Sequence, residues 1–212
     1  MDDLIRPDIQ DYAERHSSPE PDALRLIREE TERSVHGHRM ISGHLQGRLL
    51  AAISRMLRPR LVLEIGTFTG YSALCLAEGL TPGGRVVTLE RDVRLEPVIR
   101  RNLGSSSYGG SVTLVMCDAH EWLETFDEQP DLVFLDADKK GYSAYYDRLV
   151  PMMDSGGCIL VDNVLWKGQV VEPEPDARTH ALMAFNQRVC DDDRVECVML
   201  PFRDGLTLIR KR

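Results

Sequence analysis

Short apolar runs alternate with amphipathic segments through the central and C-terminal parts of the chain. Five runs are continuously apolar rather than alternating in polarity, and they cover residues 61–65, 85–90, 112–117, 132–136 and 158–162. Continuous runs rich in Leu and Val are typical of strands buried on both faces of a parallel sheet. The segments between them are long enough for crossover helices. RVECVMLP and DGLTLIRK, near the C-terminus, are separated by a short turn and predict an antiparallel hairpin.

The first third of the chain has helical periodicity instead. Leu24, Leu26 and Ile27 predict one apolar face after a helix start near Ser18. GHRMISGH, with two glycines, is interpreted as a loop. The helix that follows is predicted to end at Pro59. Its apolar residues at helical spacing are Leu45, Leu49, Ala52, Ile53, Met56 and Leu57.

Together these elements predict an α/β fold with a doubly wound, Rossmann-like, mostly parallel sheet of seven strands. An antiparallel hairpin forms its C-terminal edge, and helices precede it. The length of 212 residues suits a single domain. We expect residues 1–43 to form an N-terminal helical cap and loop, and residues 44–212 to form the core. Ligands of such sheets bind outside the carboxyl ends of the strands.

Composition and charge narrow the class of protein. With 34 acidic and 26 basic residues, the formal net charge is -8, which argues against a nucleic-acid partner. No apolar run approaches the roughly 18 residues of a membrane-spanning helix, so no membrane partner is expected. The N-terminus has no apolar signal core. The five cysteines form no C-x-x-C motif, which favours reduced thiols and a cytoplasmic location.

Two acidic residues close the first two predicted strands. Glu64 precedes a glycine-containing turn, GTFTG, in which Phe68 replaces the middle glycine of a dinucleotide-binding motif. Such a turn is suited to a ligand at a helix N-terminus, but it can also be a ligand-free strand-to-helix turn. Glu90 lies about 20 residues further on, where an acidic residue can bind ribose hydroxyls. Its alternative role is to cap the next helix.

Polar residues also close the next three predicted strands. Asp118 can accept from an adenine amino group or act as a helix N-cap. Asp136, Asp162 and Asn163 would converge if the last two parallel strands are neighbours. Two carboxylates and an amide oxygen suit Mg²⁺, Mn²⁺ or Ca²⁺, although two independent helix caps would explain the same residues. Lys139 would lie beside this group as a base, or be a solvated lysine.

LVLEIGTFTGYSALCLAEGL, Glu90, FLDADKKGY and ILVDNVLWKGQV, in this order and spacing, resemble the class I S-adenosylmethionine-dependent O-methyltransferases. The similar branch is the cation-dependent one, which contains catechol and caffeoyl-CoA O-methyltransferases. The resemblance covers residues 38–212. It departs at Arg203, where a glycine is common in the family.

The resemblance assigns a role to each matching residue. It implies a cofactor site that continues from the methionine end, through the ribose, to the adenine, and that also includes Asp136. It implies that Lys139 and Asp136 are catalytic. The implied cofactor residues are Met40, Ser42, Glu64, Gly66, Thr67, Ser72, Glu90, Asp118, Ala119 and Asp136, and the implied metal ligands are Asp136, Asp162 and Asn163.

The expected reaction is methyl transfer from S-adenosylmethionine to a hydroxyl of a catechol-like or phenolic small molecule. A divalent cation, Mg²⁺ first and Mn²⁺ or Ca²⁺ as alternatives, would chelate the acceptor, and Lys139 would take its proton. Relatives are commonly homodimers, so a homodimer is expected. Two alternatives remain at this point: a nicotinamide-dependent oxidoreductase on a similar sheet, and a module that binds S-adenosylmethionine without catalysis.

Overall fold

A computed structural model describes residues 4–212, and its centre is one seven-stranded sheet. The strand order is β3-β2-β1-β4-β5-β7-β6, with β1 to β5 parallel and β7 antiparallel to both of its neighbours. The predicted fold class and the C-terminal hairpin are therefore confirmed. The strands are β1 (Leu61–Ile65), β2 (Arg85–Glu90), β3 (Val112–Met116), β4 (Leu132–Leu135), β5 (Cys158–Asp162), β6 (Val195–Leu200) and β7 (Leu206–Lys211).

Helices cover both faces of the sheet and form two apolar cores. One core packs Leu123, Leu149 and Leu182 against the sheet, and the other packs Leu50 and Leu74 against its opposite face. The described helices are α1 (Pro7–Arg15), α2 (Asp22–Ser34), α3 (Gly43–Leu57), α4 (Tyr71–Ala77), α5 (Glu96–Gly104), α6 (Ala119–Thr125), α7 (Tyr142–Met152) and α8 (Ala177–Cys190). Short 3-10 turns occur at His38–Met40, Gly109–Ser111, Lys139–Gly141 and Trp166–Val171.

Burial on both faces explains the continuous apolar runs of the central strands. Every residue of β1, β4 and β5 is buried. Glu64 is the charged residue within β1, and its side chain is completely enclosed. Because the neighbours of β1 are β2 and β4, Glu64 lies in register with Thr88 and Phe134 in the centre of the sheet.

The buried face of α3 differs from the predicted one. Met56 is 75% exposed and Leu57 38% exposed. Polar and small residues reach the core here because they have specific partners in α4. Gly47 gives room to the Tyr71 ring, and the Ser54 hydroxyl donates to a carbonyl of α4 at 2.6 Å. The buried residues of α3 are Gln46, Gly47, Leu50, Ala51, Ile53 and Ser54.

Two other details of the N-terminal region depart from expectation. Leu26 is 57% exposed, and Thr31 joins Leu24 and Ile27 on the buried face of α2. The segment interpreted as a loop contains a 3-10 turn, and Gly43 at its end already begins α3. Within residues 4–212, no helix combines the length and apolarity needed to cross a lipid bilayer.

Candidate active site

A cleft of about 1570 Å³ opens at the carboxyl ends of the parallel strands. Parallel α/β sheets place their ligands at this edge. Residues from the N-terminal segment, the strand ends and the β6–β7 turn together form its wall. The predicted site residues that line it are Met40, Ser42, Gly66, Thr67, Ser72, Glu90, Asp118, Ala119, Asp136, Lys139, Asp162 and Asn163. Glu64 is enclosed behind this wall.

The turn between β1 and α4 brings two strand ends into close contact at Gly66. Its φ is +104°, and a Cβ at this position would lie 2.0 Å from the carbonyl oxygen of Asp136. Only glycine fits such a backbone and such an approach. The turn therefore lies directly against the segment that carries Asp136.

Behind the turn, Glu64 belongs to a small buried polar network. Thr88 donates to one of its carboxyl oxygens at 2.5 Å, and the hydroxyls of Thr67 and Thr88 lie 2.5 Å apart. The other carboxyl oxygen has no hydrogen-bond partner. Burial raises the pKa of Glu64 to about 8, although the nearby hydroxyls of Ser72 and Thr88 act in the opposite direction.

Glu90 at the end of β2 holds the same turn from the other side. One carboxylate oxygen accepts from the backbone N–H of Phe68 at 2.9 Å. The other accepts from the backbone N–H groups of Arg91 and Asp92, each at 2.9 Å. The Glu90 carboxylate thus anchors Phe68, whose φ of 52° is left-handed. Its role toward a ribose stays a prediction.

Asp118 acts as an N-cap, which is one of its two predicted roles. Its side chain accepts from the backbone N–H of His120 at 2.8 Å at the start of α6. Ala119 follows and is buried at the cleft wall. The contact of Asp118 with adenine stays a prediction.

The ends of β4 and β5 are neighbours, as the convergence of Asp136, Asp162 and Asn163 required. Asp162 is only 4% exposed. One of its oxygens accepts from the Gln46 side chain at 2.7 Å, and the other accepts from the Asn163 backbone N–H at 2.8 Å. Burial, and next the charge of Asp136, raise the pKa of Asp162 to about 6.

This donor set fits a divalent cation. Two carboxylates that repel each other, with an adjacent amide, are hard oxygen ligands whose repulsion a cation relieves. Asn163 has φ 57°, a left-handed conformation that asparagine tolerates better than most residues. Among residues 4–212, no three or more His, Cys, Asp or Glu side chains form a metal-binding group, so the Asn163 amide would complete the set.

Lys139 is buried at this rim, while its neighbour Lys140 is solvent-exposed. The Lys139 ammonium lies 3.0 Å from an Asp136 carboxylate oxygen and 2.6 Å from the Tyr142 hydroxyl. Tyr142 in turn donates to the backbone carbonyl of Asp162 at 2.9 Å. A fully buried tyrosine therefore connects the predicted base to the strand that carries a predicted metal ligand.

Gln46, Tyr142 and Arg203 are the main residues of this site without a predicted role. Gln46 is a polar residue among apolar ones on α3, a signal that could have found it. Tyr142 lies three residues after Lys139, a spacing that brings the two side chains together. Arg203 lies in the β6–β7 turn and donates to the carbonyl oxygens of Ile41 and Ser42. Only its departure from the family pattern marked it.

Comparison with known proteins identifies the family of this chain. The family described as O-methyltransferase matches residues 14–212. A mouse protein, catechol O-methyltransferase domain-containing protein 1, is 35% identical over 94% of this chain and 78% of its own length. Probable caffeoyl-CoA O-methyltransferase 1 of Dictyostelium discoideum is 30% identical over 96% of this chain and 91% of its own.

A solved structure has the same architecture. The SAH-bound Podospora anserina methyltransferase PaMTH1 superposes with a TM-score of 0.89 at 30% identity, covering 97% of this chain and 94% of its own. The chain therefore belongs to the O-methyltransferase family. Within the family it falls in the catechol and caffeoyl-CoA class. The predicted S-adenosylmethionine-dependent O-methyltransferase activity is therefore confirmed.

Proposed function

We propose that this enzyme methylates a hydroxyl of a catechol-like or phenolic small molecule with the help of a divalent cation, Mg²⁺ first. The observation that carries the proposal is the meeting of Asp136, Asp162 and Asn163 at two adjacent strand ends, with the Lys139 ammonium 3.0 Å from Asp136. A cation at these residues would orient an acceptor hydroxyl and lower its pKa.

In this proposal Lys139 receives the proton of the acceptor hydroxyl as a neutral amine, so the ammonium that pairs with Asp136 first releases one proton to solvent. Its nitrogen is held by Asp136 and Tyr142, so it stays at a fixed place beside the metal ligands. Its side chain is only 9% exposed, which limits contact with competing water. General-base catalysis requires this kind of placement within hydrogen-bond reach of the reacting group.

The cofactor would occupy the part of the cleft between the N-terminal segment and the ends of β1 to β3. When bound, S-adenosylmethionine would supply the methyl group from its positively charged sulfur. Asp136 on the wall would provide negative charge nearby, and Glu64 behind the wall would add to it once its carboxyl group has lost its proton. The proposed contacts are Met40, Ser42, Gly66, Thr67, Ser72 and Asp136 around the methionine, Glu90 at the ribose, and Asp118 and Ala119 at the adenine.

A methyl-transfer assay with catechol as the acceptor tests the metal part of this proposal. The wild-type chain is assayed with S-adenosylmethionine and Mg²⁺, then with EDTA, beside Asp162→Asn and the exposed control Asp193→Asn. We expect EDTA and Asp162→Asn to abolish product, and Asp193→Asn to retain it. Full activity in EDTA would refute the metal-assisted mechanism.

Two further expectations stay proposals. The chain would act as a homodimer in the cytoplasm, as its resemblance to the family and its thiol content suggest. Light scattering of the purified chain at micromolar concentration tests the first part. A mass of one chain, 24.0 kDa, at every concentration would contradict it.

A further inference from the structure

The turn between β6 and β7, residues 201–205, connects the two sides of the cleft through Arg203. We propose that Arg203 is a positioning residue that fixes the Asp162 carboxylate through Gln46 and ties the Ile41–Ser42 segment across the cofactor end. The metal part of this inference rests on the proposed function, in which Asp162 is a ligand. The contacts on which it depends are present in the chain itself.

The first step concerns the direction of the Gln46 amide. The guanidinium of Arg203 has donors only, and it donates to the amide oxygen of Gln46. The amide nitrogen must therefore face the other way, and it donates to Asp162 at 2.7 Å. Because Gln46 is only 1% exposed, water cannot take the place of Arg203 or Asp162 as a hydrogen-bond partner of its amide.

The second step concerns what this fixed amide does to Asp162. Each carboxylate oxygen of Asp162 accepts one hydrogen bond, from the Gln46 amide and from the Asn163 backbone. Both bonds hold the plane of the carboxylate, and each oxygen keeps a lone pair for a further partner. Residues that orient a metal ligand in this way commonly change metal affinity by about 10- to 100-fold when they are removed.

The third step concerns the other contacts of the same guanidinium. Arg203 also donates to the carbonyl oxygens of Ile41 and Ser42, at 3.1 Å for Ile41. Met40 and Ser42 line the cleft at its proposed cofactor end. The Arg203 side chain thus holds the Ile41–Ser42 segment directly and the Asp162 carboxylate through Gln46.

The backbone of the turn is suited to present this side chain. Arg203 has φ 51°, a left-handed conformation that costs a side-chain residue energy and that glycine adopts freely. The turn is also held by Asp204. Its carboxylate accepts from the backbone N–H of Lys167, and its backbone carbonyl accepts from the backbone N–H of Leu165 at 2.9 Å. Arg203 therefore extends from a fixed base, with backbone strain that its contacts offset.

A double-mutant cycle on Mn²⁺ binding tests the connection through Gln46. Mn²⁺ alone is titrated by electron paramagnetic resonance into the wild type, Arg203→Met, Gln46→Met and the double variant. We expect each single variant to weaken Mn²⁺ by about 10- to 100-fold. The Mn²⁺ affinity of the double variant should lie within about threefold of that of the single variant that binds more weakly. The two substitutions are not additive because both disrupt the same Arg203–Gln46 contact.

Arg210→Met is the matched control, since Arg210 lies on β7 and pairs only at the surface with Glu196, at 3.6 Å. It removes the same charge and should bind Mn²⁺ like the wild type. Arg203→Lys keeps the charge and can replace only one contact, so it should give an intermediate affinity. It also serves if Arg203→Met does not fold.

Binding of S-adenosylhomocysteine, measured by calorimetry without metal, separates the two contacts of Arg203. Arg203→Met should weaken it by about 2- to 10-fold, the value of one or two hydrogen bonds, and Gln46→Met should not. The inference would be overturned, without affecting the proposed function, by either of two results. The first is an equal Mn²⁺ affinity in Arg203→Met and Arg210→Met. The second is a double variant whose loss of affinity is the product of the two single losses. A wild type that binds no Mn²⁺ would refute both the proposed metal site and the metal part of this inference.

Discussion

The two ends of the sheet treat buried carboxylates in opposite ways. Near the amino ends of the strands, the side chain of Glu78 is 1% exposed, and its carboxylate lies 2.5 Å from Arg48 and 2.6 Å from Arg55. At the carboxyl ends, Glu64 has an oxygen with no hydrogen-bond partner. The pKa of Asp162 is raised first by burial and then by the charge of Asp136. The first arrangement stabilises the fold, and the second leaves carboxyl groups whose ionised form a positive ligand would favour.

The largest expected effect comes from removing the proposed general base, Lys139, at the carboxyl ends of the strands. Lys139→Met keeps the length of the side chain and removes the nitrogen held by Asp136 and Tyr142. We expect kcat for catechol methylation to fall by about 10²- to 10⁴-fold, the usual contribution of a general base. Steady-state kinetics measure it, with the exposed Lys140→Met as control. A loss below threefold would exclude Lys139 as the base.

The second largest effect comes from removing Glu78, near the amino ends of the strands. Glu78→Ala leaves two arginines without their common partner, and we expect about 3 kcal/mol less free energy of unfolding in urea. Its kcat should stay within about twofold of the wild type at a temperature where it is folded. Asp162→Asn should show the reverse pattern, with unchanged or higher stability and no activity. Equal behaviour of the two variants would contradict the comparison.

A pH series sharpens the comparison at Glu64. Its pKa is raised from 4.5 to about 8 in the folded chain, so between these values the folded state binds more protons than the unfolded state. Stability due to this group is therefore full below pH 4.5 and is lost as the pH rises toward 8, by up to about 1.4 kcal/mol per pH unit.

Urea unfolding without cofactor, from pH 5 to pH 8, measures this loss. The difference in stability between Glu64→Gln and the wild type should move in favour of the variant as the pH rises. The exposed Glu128→Gln should follow the wild type throughout. Parallel curves for Glu64→Gln and the wild type would show that Glu64 loses its proton at an ordinary pKa.

The smallest effect concerns the connection between Lys139 and β5. Tyr142→Phe removes a hydroxyl that lies 2.6 Å from the Lys139 nitrogen and donates to the backbone carbonyl of Asp162 at 2.9 Å. We expect a loss of about 1–2 kcal/mol in stability and a several-fold fall in kcat, because a buried carbonyl loses its donor and Lys139 loses one of its two contacts. Tyr108→Phe at the surface is the control. Unchanged kinetics would show that Asp136 alone positions Lys139.

The sheet and its rim could be predicted because their signals are local. Each buried strand is a short apolar run, and the polar residues that follow, such as Asp136 and Asp162, must meet at the same edge of a parallel sheet. The structure confirms this arrangement, although the individual ligand contacts of these residues stay predictions.

The parts that could not be predicted depend on contacts between distant positions. Gln46 is buried because Asp162 and Arg203 satisfy its amide, and they lie 116 and 157 residues away. Apolar periodicity alone therefore favoured Leu45 and Met56 as the inner face of α3. The fit of α3 against α4 turned Met56 outward instead.

Counting bound Mn²⁺ by electron paramagnetic resonance tests most directly the proposal that the carboxylates at the carboxyl ends of the strands hold a divalent cation. The wild-type chain should bind one Mn²⁺ tightly. A double variant, Asp136→Ala with Asp162→Ala, should bind none while it still unfolds cooperatively in urea. The same number of tightly bound Mn²⁺ ions in both proteins would contradict the account.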